Sequence, residues 1–228
     1  MTLPTDLDRL LGPRDVVVVE GPDALKYLQS QISQEIGPLA VGDHRWTFVL
    51  DPAGKVVSFA RINRTGEERF ELDCDAGFGE GLLGRLNRFK IRVKAETSLV
   101  TTTEVGSDDA VEHDRIVAGW PRLGSEIVPG ETIPGGTGLV AIAVNFTKGC
   151  YPGQELVERM DSRGARAPKT LRRLTVVEGT VIGDPVVDDS QDVGEITSVS
   201  GTAALAWVKR SSEVGEPVRF EPADFDPV

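Results

Sequence analysis

The chain of 228 residues is poor in cysteine, with Cys74 and Cys150 as its two thiols. Two distant cysteines cannot build a disulfide scaffold. They also cannot hold a zinc ion or an iron–sulfur cluster by themselves, because such sites recruit several thiolates. Without a disulfide framework, a reducing compartment is the expected setting. We therefore predict a cytoplasmic protein without a metal site of its own.

Long apolar runs are also missing from the sequence. No stretch approaches the ~20 apolar residues that a helix needs to span a bilayer. Residues 1–11 contain Asp6 and Asp8 and lack the apolar run of a secretory signal peptide. The sequence therefore predicts no membrane association.

Basic residues are fewer than acidic ones, with 25 Lys and Arg against 36 Asp and Glu, and the net charge is −11. The cations gather in residues 85–94 and 159–173, which carry a net +5 each, so the rest of the chain carries −21. A phosphate backbone would be repelled everywhere outside these two segments. We therefore expect no strong binding of duplex nucleic acid. Each basic segment is either a solvated surface or a contact for a small polyanion.

Hydrophobic patterning predicts an α+β organisation with two regions, residues 1–168 and residues 169–228. In the first region, β-branched runs and helical spacing predict strands over 16–19, 46–50, 56–62, 69–72, 91–93 and 100–103, and helices over 22–36, 78–89 and 154–159. Residues 105–138 have weak periodicity and are predicted to be mostly loop with short elements. The second region has short strand-like segments between turn signals, which predict a small antiparallel barrel or sandwich.

The densest chemistry lies in the run KGCYPGQELVER, from Lys148 to Arg159. Pro152 suits the first turn of a helix, so we predict a short helix from Gln154 onward. Cys150 would then lie just before the helix start and two residues from Lys148, and both features stabilise a thiolate. The pattern is compatible with a reactive cysteine, although a lone cysteine such as Cys150 is more often buried and inert, and both alternatives stay open here.

This run resembles the signature of the YgfZ family of folate-binding proteins. That family includes the mitochondrial iron–sulfur assembly factors and is related to the T-protein, the aminomethyltransferase of the glycine cleavage system. Weaker matches follow the family's order along the chain, at residues 20–31, 54–56, 115–127 and 194–198. The resemblance implies a T-protein-like fold, with a folate-binding α/β body and a C-terminal antiparallel β-barrel.

Two positions depart from the family pattern. Pro152 occupies a position that usually holds threonine or an aliphatic residue. In the T-protein, the strand after the hairpin glycine carries an acidic pair whose aspartate is catalytic, and the matching positions here are Ser58 and Phe59. Without that carboxylate, the chain lacks the group that would handle the proton on the aminomethyl nitrogen. We therefore do not expect glycine-cleavage activity.

The resemblance implies tetrahydrofolate as the cofactor, in a polyglutamylated form if the basic segments contact its tail. Glu126 is the predicted pterin contact, because it lies in the segment that resembles the family's folate-contacting stretch, and one carboxylate can accept paired hydrogen bonds from the adjacent donors of a pterin. Cys150 and Lys148 form the predicted reactive pair. The other predicted folate contacts are Arg115, Tyr151, Gln154, Glu155 and Arg159. Each has a structural alternative, such as a surface glutamate, an internal ion pair or a core tyrosine.

Three functions are compatible with these features. The favoured one is a tetrahydrofolate-binding accessory protein for iron–sulfur cluster assembly or repair, which would include support of cluster enzymes that modify tRNA. Its partners would be iron–sulfur assembly or client proteins, because Cys150 alone cannot hold a cluster. The alternatives are a folate-dependent one-carbon transferase and a non-catalytic binding scaffold.

Overall fold

Two five-stranded antiparallel sheets dominate the computed structural model, which describes residues 7–102, 108–162 and 167–222. The first sheet contains β1 (Arg14–Glu20), β2 (His44–Leu50), β3 (Val56–Gly66), β4 (Arg69–Asp75) and β5 (Glu96–Val100). The second contains β6 (Lys169–Thr175), β7 (Pro185–Asp188), β8 (Gln191–Ser200), β9 (Ala203–Lys209) and β10 (Glu216–Pro217). Their strand orders are β2-β3-β4-β1-β5 and β10-β6-β9-β8-β7.

The α-helices of these ranges are short. They are α1 (Ala24–Gln29), α2 (Gly79–Arg88), α3 (Asp109–Ala118), α4 (Val140–Ala143) and α5 (Gln154–Ser162). Single 3-10 turns occur at Leu7–Leu10 and Pro134–Gly136. None of the described helices has the length and apolar character needed to cross a membrane.

The two faces of the first sheet have different surroundings. Asp15 on β1 accepts hydrogen bonds from the backbone N–H groups of Gly77 and Gly79, at 2.9 and 3.0 Å, so the start of α2 packs on that face. Side chains alternate along a strand, so Arg14 lies on the opposite face. There it contacts Asp73 of the neighbouring strand β4. This second face becomes important for the candidate site.

Residues 105–138 contain helix α3, where the sequence predicted mostly loop. Asp108 caps the helix by accepting a hydrogen bond from the backbone N–H of Ala110, and Gly119 ends it with a left-handed φ of 81°. The cap residues follow ordinary rules, but the apolar periodicity is weak because the helix buries Arg115 beside Ile116. Helix α3 is therefore one of the short elements expected in this mostly irregular stretch, although its position was not predicted.

Three further element predictions are wrong or misplaced. Residues 91–93 form no strand, because Ile91 is 74% exposed and Arg92 has a left-handed φ of 55°. The next strand, β5, ends at Val100, where the sequence predicted a strand to begin. Helix α1 ends at Gln29, well before the predicted end at residue 36.

The second sheet begins at Lys169, next to the predicted boundary between the two regions. The hydrophobic core nevertheless crosses that boundary. Leu171, Leu205 and Val218 belong to the same buried cluster as the core side chains of the first sheet. The division after residue 168 and the closure of the second sheet into a barrel therefore stay predictions.

Candidate functional site

The signature segment, residues 148–159, packs its backbone directly against the turn between β2 and β3. A Cβ atom on Gly153 would lie 2.5 Å from the carbonyl oxygen of Asp51 and 2.9 Å from the Cα atom of Gly54. Gly153 also has a φ of +83°, a conformation that favours glycine. Gly54 in turn faces Leu156, whose Cβ atom would lie 2.5 Å from an added Cβ. The glycines of the motif therefore allow two backbones to meet.

Lys148 anchors the start of the segment to the residues at the end of α1. Its Nζ atom donates hydrogen bonds to the carbonyl oxygens of Gln29 (2.6 Å) and Ile32 (2.5 Å), and it lies 5.1 Å from the ring centroid of Tyr151. Burial lowers the pKa of Lys148 to about 8. The sequence did not predict this anchoring contact. Lys148 was predicted to stabilise the thiolate of Cys150. Its ammonium group is already held by two backbone carbonyls, so any such stabilisation would act from this fixed position.

Cys150 is exposed, on a loop that is fixed on both sides. Before it, the backbone N–H of Asn145 donates to the carbonyl of Ser33 at 2.9 Å, and the Asn145 side chain accepts hydrogen bonds from Thr147. After it, α5 begins at Gln154. Three residues thus separate the cysteine from the helix, and the field of a helix end acts mainly on the first turn. The reactive role of Cys150 stays a prediction.

The remaining predicted residues of the signature divide into buried and exposed ones. Tyr151 belongs to the hydrophobic core, and burial raises its pKa to about 12. The Gln154 side chain accepts a hydrogen bond from the backbone N–H of Tyr151 at 3.2 Å and donates one to Glu158. Glu155 and Arg159 are exposed. Folate contacts by these residues stay predictions. Of the four, Glu155 and Arg159 are the two that a ligand could reach from solvent.

Arg115 and Glu126 are brought together, but in the interior. Glu126 has no exposed surface, and one of its carboxylate oxygens lies 2.9 Å from Nη1 of Arg115, which is 2% exposed. The other oxygen accepts hydrogen bonds from the hydroxyl groups of Ser198 and Thr197, at 2.5 and 2.9 Å. Arg115 also pairs with Glu112 at 2.6 Å.

This arrangement corrects our view of Glu126 as an accessible carboxylate. Each oxygen of the carboxylate is already engaged, by an arginine on one side and by two hydroxyl groups of β8 on the other. A pterin would reach it only by opening this network. The contact between Glu126 and folate therefore stays a prediction, whereas its structural role is evident from the coordinates.

A cavity of about 570 Å³ lies on the face of the first sheet that carries Arg14. At its floor, Asp73 accepts hydrogen bonds from Arg14, Arg61 and Asn63, each at 2.9 Å. Glu71 lies on the same wall and is part of the lining. Our sequence analysis missed this site. Its signal is the polar alternation Arg61-x-Asn63 on β3 opposite Glu71-x-Asp73 on β4, in strands whose intervening residues are apolar.

Comparisons with known proteins agree with this fold. No family model matches the chain. It is 26% identical to the tRNA-modifying protein YgfZ of Serratia proteamaculans, over 84% of this chain and 77% of that protein. It is 24% identical to the mitochondrial iron–sulfur cluster assembly factor IBA57 homolog of Neurospora crassa, over 74% and 54%. Aminomethyltransferase T of the glycine cleavage system from Bartonella henselae matches with a TM-score of 0.72 at 15% identity, over 90% of this chain and 81% of that one.

The chain is similar in sequence to YgfZ and to aminomethyltransferases along most of its length. The structural match also confirms the predicted α+β, T-protein-like fold. The chain spans about half the length of the curated aminomethyltransferases and of the assembly factor that it matches. Its fold is therefore established, whereas its activity and partners are matters for proposal.

Ser58 and Phe59, the positions that the sequence analysis matched to the acidic pair of the T-protein, lie beside an aromatic cluster. Ser58 and Phe59 are both buried. The Phe59 ring stacks on Trp46 with 4.9 Å between centroids and lies 5.5 Å from Trp120. The two tryptophan rings are themselves 4.8 Å apart. Phe59 therefore packs among aromatic side chains, and the expectation of no glycine-cleavage activity stays a prediction.

Replacing Lys148 with methionine should change how stability depends on pH. The folded pKa of about 8 lies below the ordinary lysine value of 10.5, so between these values the unfolded chain binds more protons. The free energy of unfolding of the wild type should therefore rise with pH, by about 1 kcal/mol per pH unit. The window is about pH 8–9, because above it Cys74, whose pKa burial raises from 9.0 to about 12, acts in the opposite direction.

Urea denaturation across that window measures this slope. Lys148→Met should remove it. Lys55→Met is the matched control, because the Nζ atom of Lys55 also donates to a backbone carbonyl, that of Glu131 at 3.0 Å, but in an exposed position. If the free energy of unfolding changed with pH equally in the wild type and in Lys148→Met, burial would not lower the pKa of Lys148.

Proposed function

We propose that this protein binds tetrahydrofolate and acts as an accessory factor in iron–sulfur cluster assembly or repair. The observation that carries the proposal is the exposed thiol of Cys150 on a loop anchored by Lys148 and Asn145. A thiol that is accessible and held in a fixed position suits the transfer of a cluster to or from a partner protein better than a thiol on a flexible segment. The T-protein-like fold supports the folate-binding part of the proposal. The similarity to an iron–sulfur cluster assembly factor supports the part that concerns clusters.

Any cluster would be shared with a partner protein. Iron–sulfur clusters are normally held by several thiolates. In the part of the chain that the structure describes, no three His, Cys, Asp or Glu side chains come together to hold a metal ion. Cys150 would therefore supply one ligand, and an assembly or client protein would supply the rest. Clients that modify tRNA fit this proposal, because a tRNA-modifying protein is among the relatives.

The pterin is assigned to the cavity on the first sheet. A cavity of about 570 Å³ is within the usual size of sites for ligands of this kind. The Glu71 side chain is 30% accessible, and Arg69 donates to its Oε1 atom at 3.0 Å, so Oε2 is the atom that would accept from a pterin. Exposed Arg159 remains the candidate for the carboxylates of the glutamyl tail.

Tetrahydrofolate titration of the purified protein tests the assignment. Glu71→Gln should weaken binding by about 1.5–3 kcal/mol, the range for hydrogen bonds to charged groups. Glu67→Gln is the matched control, because this carboxylate is 87% exposed and lies outside the cavity. Loss of affinity in folded Glu126→Gln, with none in Glu71→Gln, would move the pterin to the originally predicted residue.

Replacing Cys150 with serine should abolish cluster maintenance without changing stability or folate affinity. The side chain is exposed, so the substitution removes the thiol and little else. The measurement is the activity and cluster content of iron–sulfur enzymes in cells that lack the endogenous protein. Thr147→Ser, on the same exposed loop, should restore both. Full restoration by Cys150→Ser would favour the scaffold alternative, and folate-dependent turnover of a one-carbon donor would favour the transferase.

The proposal includes a cytoplasmic location and no strong binding of duplex nucleic acid. The net charge of −11 opposes a phosphate backbone. The basic segment at residues 85–94 covers the end of α2 and the loop after it. The other basic segment contains residues 163–166, which lie outside the described ranges.

A further inference from the structure

An exposed aliphatic surface lies at the outer edge of the second sheet, away from the residues assigned above. Four of the nine large hydrophobic side chains that are exposed in the described ranges fall within eleven residues of sequence. They are Val177 (78% exposed), Val181 (58%), Ile182 (66%) and Val187 (57%). Single exposed aliphatic residues are ordinary, but these four share one loop and the adjoining edge strand, and an exposed group of this kind is a candidate interaction site.

These side chains are held outward by fixed backbone. The loop between β6 and β7 is tied to β8, because the N–H of Gly183 donates to the carbonyl of Ile196 at 2.8 Å and the N–H of Ile196 donates to Asp184 at 3.0 Å. Val187 lies on β7, the last strand in the order of the second sheet, and pairs with Asp192 on β8. The exposure therefore belongs to ordered structure.

The charge around these residues is mainly negative. Residues 176–208 contain six carboxylates and no lysine, arginine or histidine, and Lys209, which follows them, donates from its Nζ atom to the backbone carbonyl of Asp192 at 2.7 Å. Four of these carboxylates are exposed: Glu178, Asp189, Asp192 and Glu195. An anionic lipid surface or a nucleic acid would be repelled here, whereas a cationic protein surface would be attracted.

We propose that these four aliphatic side chains and four exposed carboxylates form a docking surface for a basic, aliphatic segment of a partner protein. The aliphatic centre supplies the apolar area that is removed from water, and the acidic rim selects a cationic partner and speeds its approach. This surface is independent of the folate and thiol assignments. Its failure would leave the proposed function intact.

A short peptide of alternating lysine and valine, titrated by fluorescence anisotropy into the full chain, tests the surface. The peptide should bind the wild type, and Val181→Ser with Ile182→Ser should weaken binding by about tenfold or more, because two aliphatic contacts are lost. Ile91→Ser is the matched control, because Ile91 is 74% exposed but lies in the basic loop after α2. It should leave binding unchanged.

Specificity for both features separates this surface from simple charge attraction. A lysine–serine peptide and a glutamate–valine peptide should each bind at least about tenfold more weakly than the lysine–valine peptide. Equal binding of the lysine–valine and lysine–serine peptides, or no effect of the double substitution, would overturn the proposal. A concentration-dependent dimer in sedimentation that Ile91→Ser abolishes would also overturn it, because the occupant would then be the basic loop of a second copy.

Discussion

Replacing Glu126 with glutamine should lower the free energy of unfolding by about 1–3 kcal/mol, because the Arg115 guanidinium loses its fully buried carboxylate and keeps Glu112 as its charged partner. Arg115 is 2% exposed and Glu126 has no exposed surface, so water cannot take over the lost charge. Glutamine keeps the size of the side chain and one acceptor oxygen for Ser198 or Thr197. The loss of stability therefore measures the removal of the negative charge and not a change in side-chain volume.

Urea denaturation of the variant measures this effect, with Glu131→Gln as the control. Glu131 is exposed, so its substitution should change stability by less than about 0.5 kcal/mol. The double substitution Arg115→Met with Glu126→Met should cost less than the two single changes combined, since removing both charges leaves neither unpaired. Additive losses would contradict a coupled buried pair.

Replacing Gly153 with alanine should destabilise the protein by about 2–5 kcal/mol and displace the loop that carries Cys150. The left-handed backbone alone costs an L-residue about 1–2 kcal/mol. The added methyl group would also meet the Asp51 carbonyl at 2.5 Å, and overpacking of this kind costs about 1–3 kcal/mol more. Because the obstacle is backbone on both sides, no rotamer change relieves it.

The same motif provides the control. A Cβ atom on Gly149 would have no heavy atom within 4 Å, so Gly149→Ala should change stability by less than about 0.5 kcal/mol. Thermal unfolding of the two variants gives the comparison. Similar unfolding temperatures for Gly149→Ala and Gly153→Ala would show that the contact between the signature segment and the hairpin does not constrain the fold.

Local features of the sequence were the ones that could be predicted. The strands β1 to β4 follow from β-branched runs, and the hairpin follows from its Pro-Gly turn, since both signals lie within a few residues. Helix α5 begins where Pro152 indicated. The signature segment, residues 148–159, was also visible from its spacing, which led to the T-protein-like fold.

Contacts between distant residues were the ones that could not be predicted. The anchors of Lys148 are carbonyls 119 and 116 residues away, and a backbone carbonyl has no sequence signal. The partners of Glu126 include Ser198, 72 residues away. A carboxylate in a polar loop was expected to face solvent, and only the tertiary fold turns it inward. The cavity depends in the same way on the register between β3 and β4.

The ion pair of Arg115 and Glu126 also limits how the molecule can move. Both residues of the pair come after the strands of the first sheet in the sequence. The hydroxyl groups that bond to Glu126, those of Ser198 and Thr197, belong to β8 of the second sheet. A hinge motion that separated the two sheets would have to pull charged groups out of their hydrogen bonds within the interior, which is costly. The two sheets should therefore move as one body. A partner would then meet Cys150 on a preformed surface, and adjustment on binding would fall to the partner.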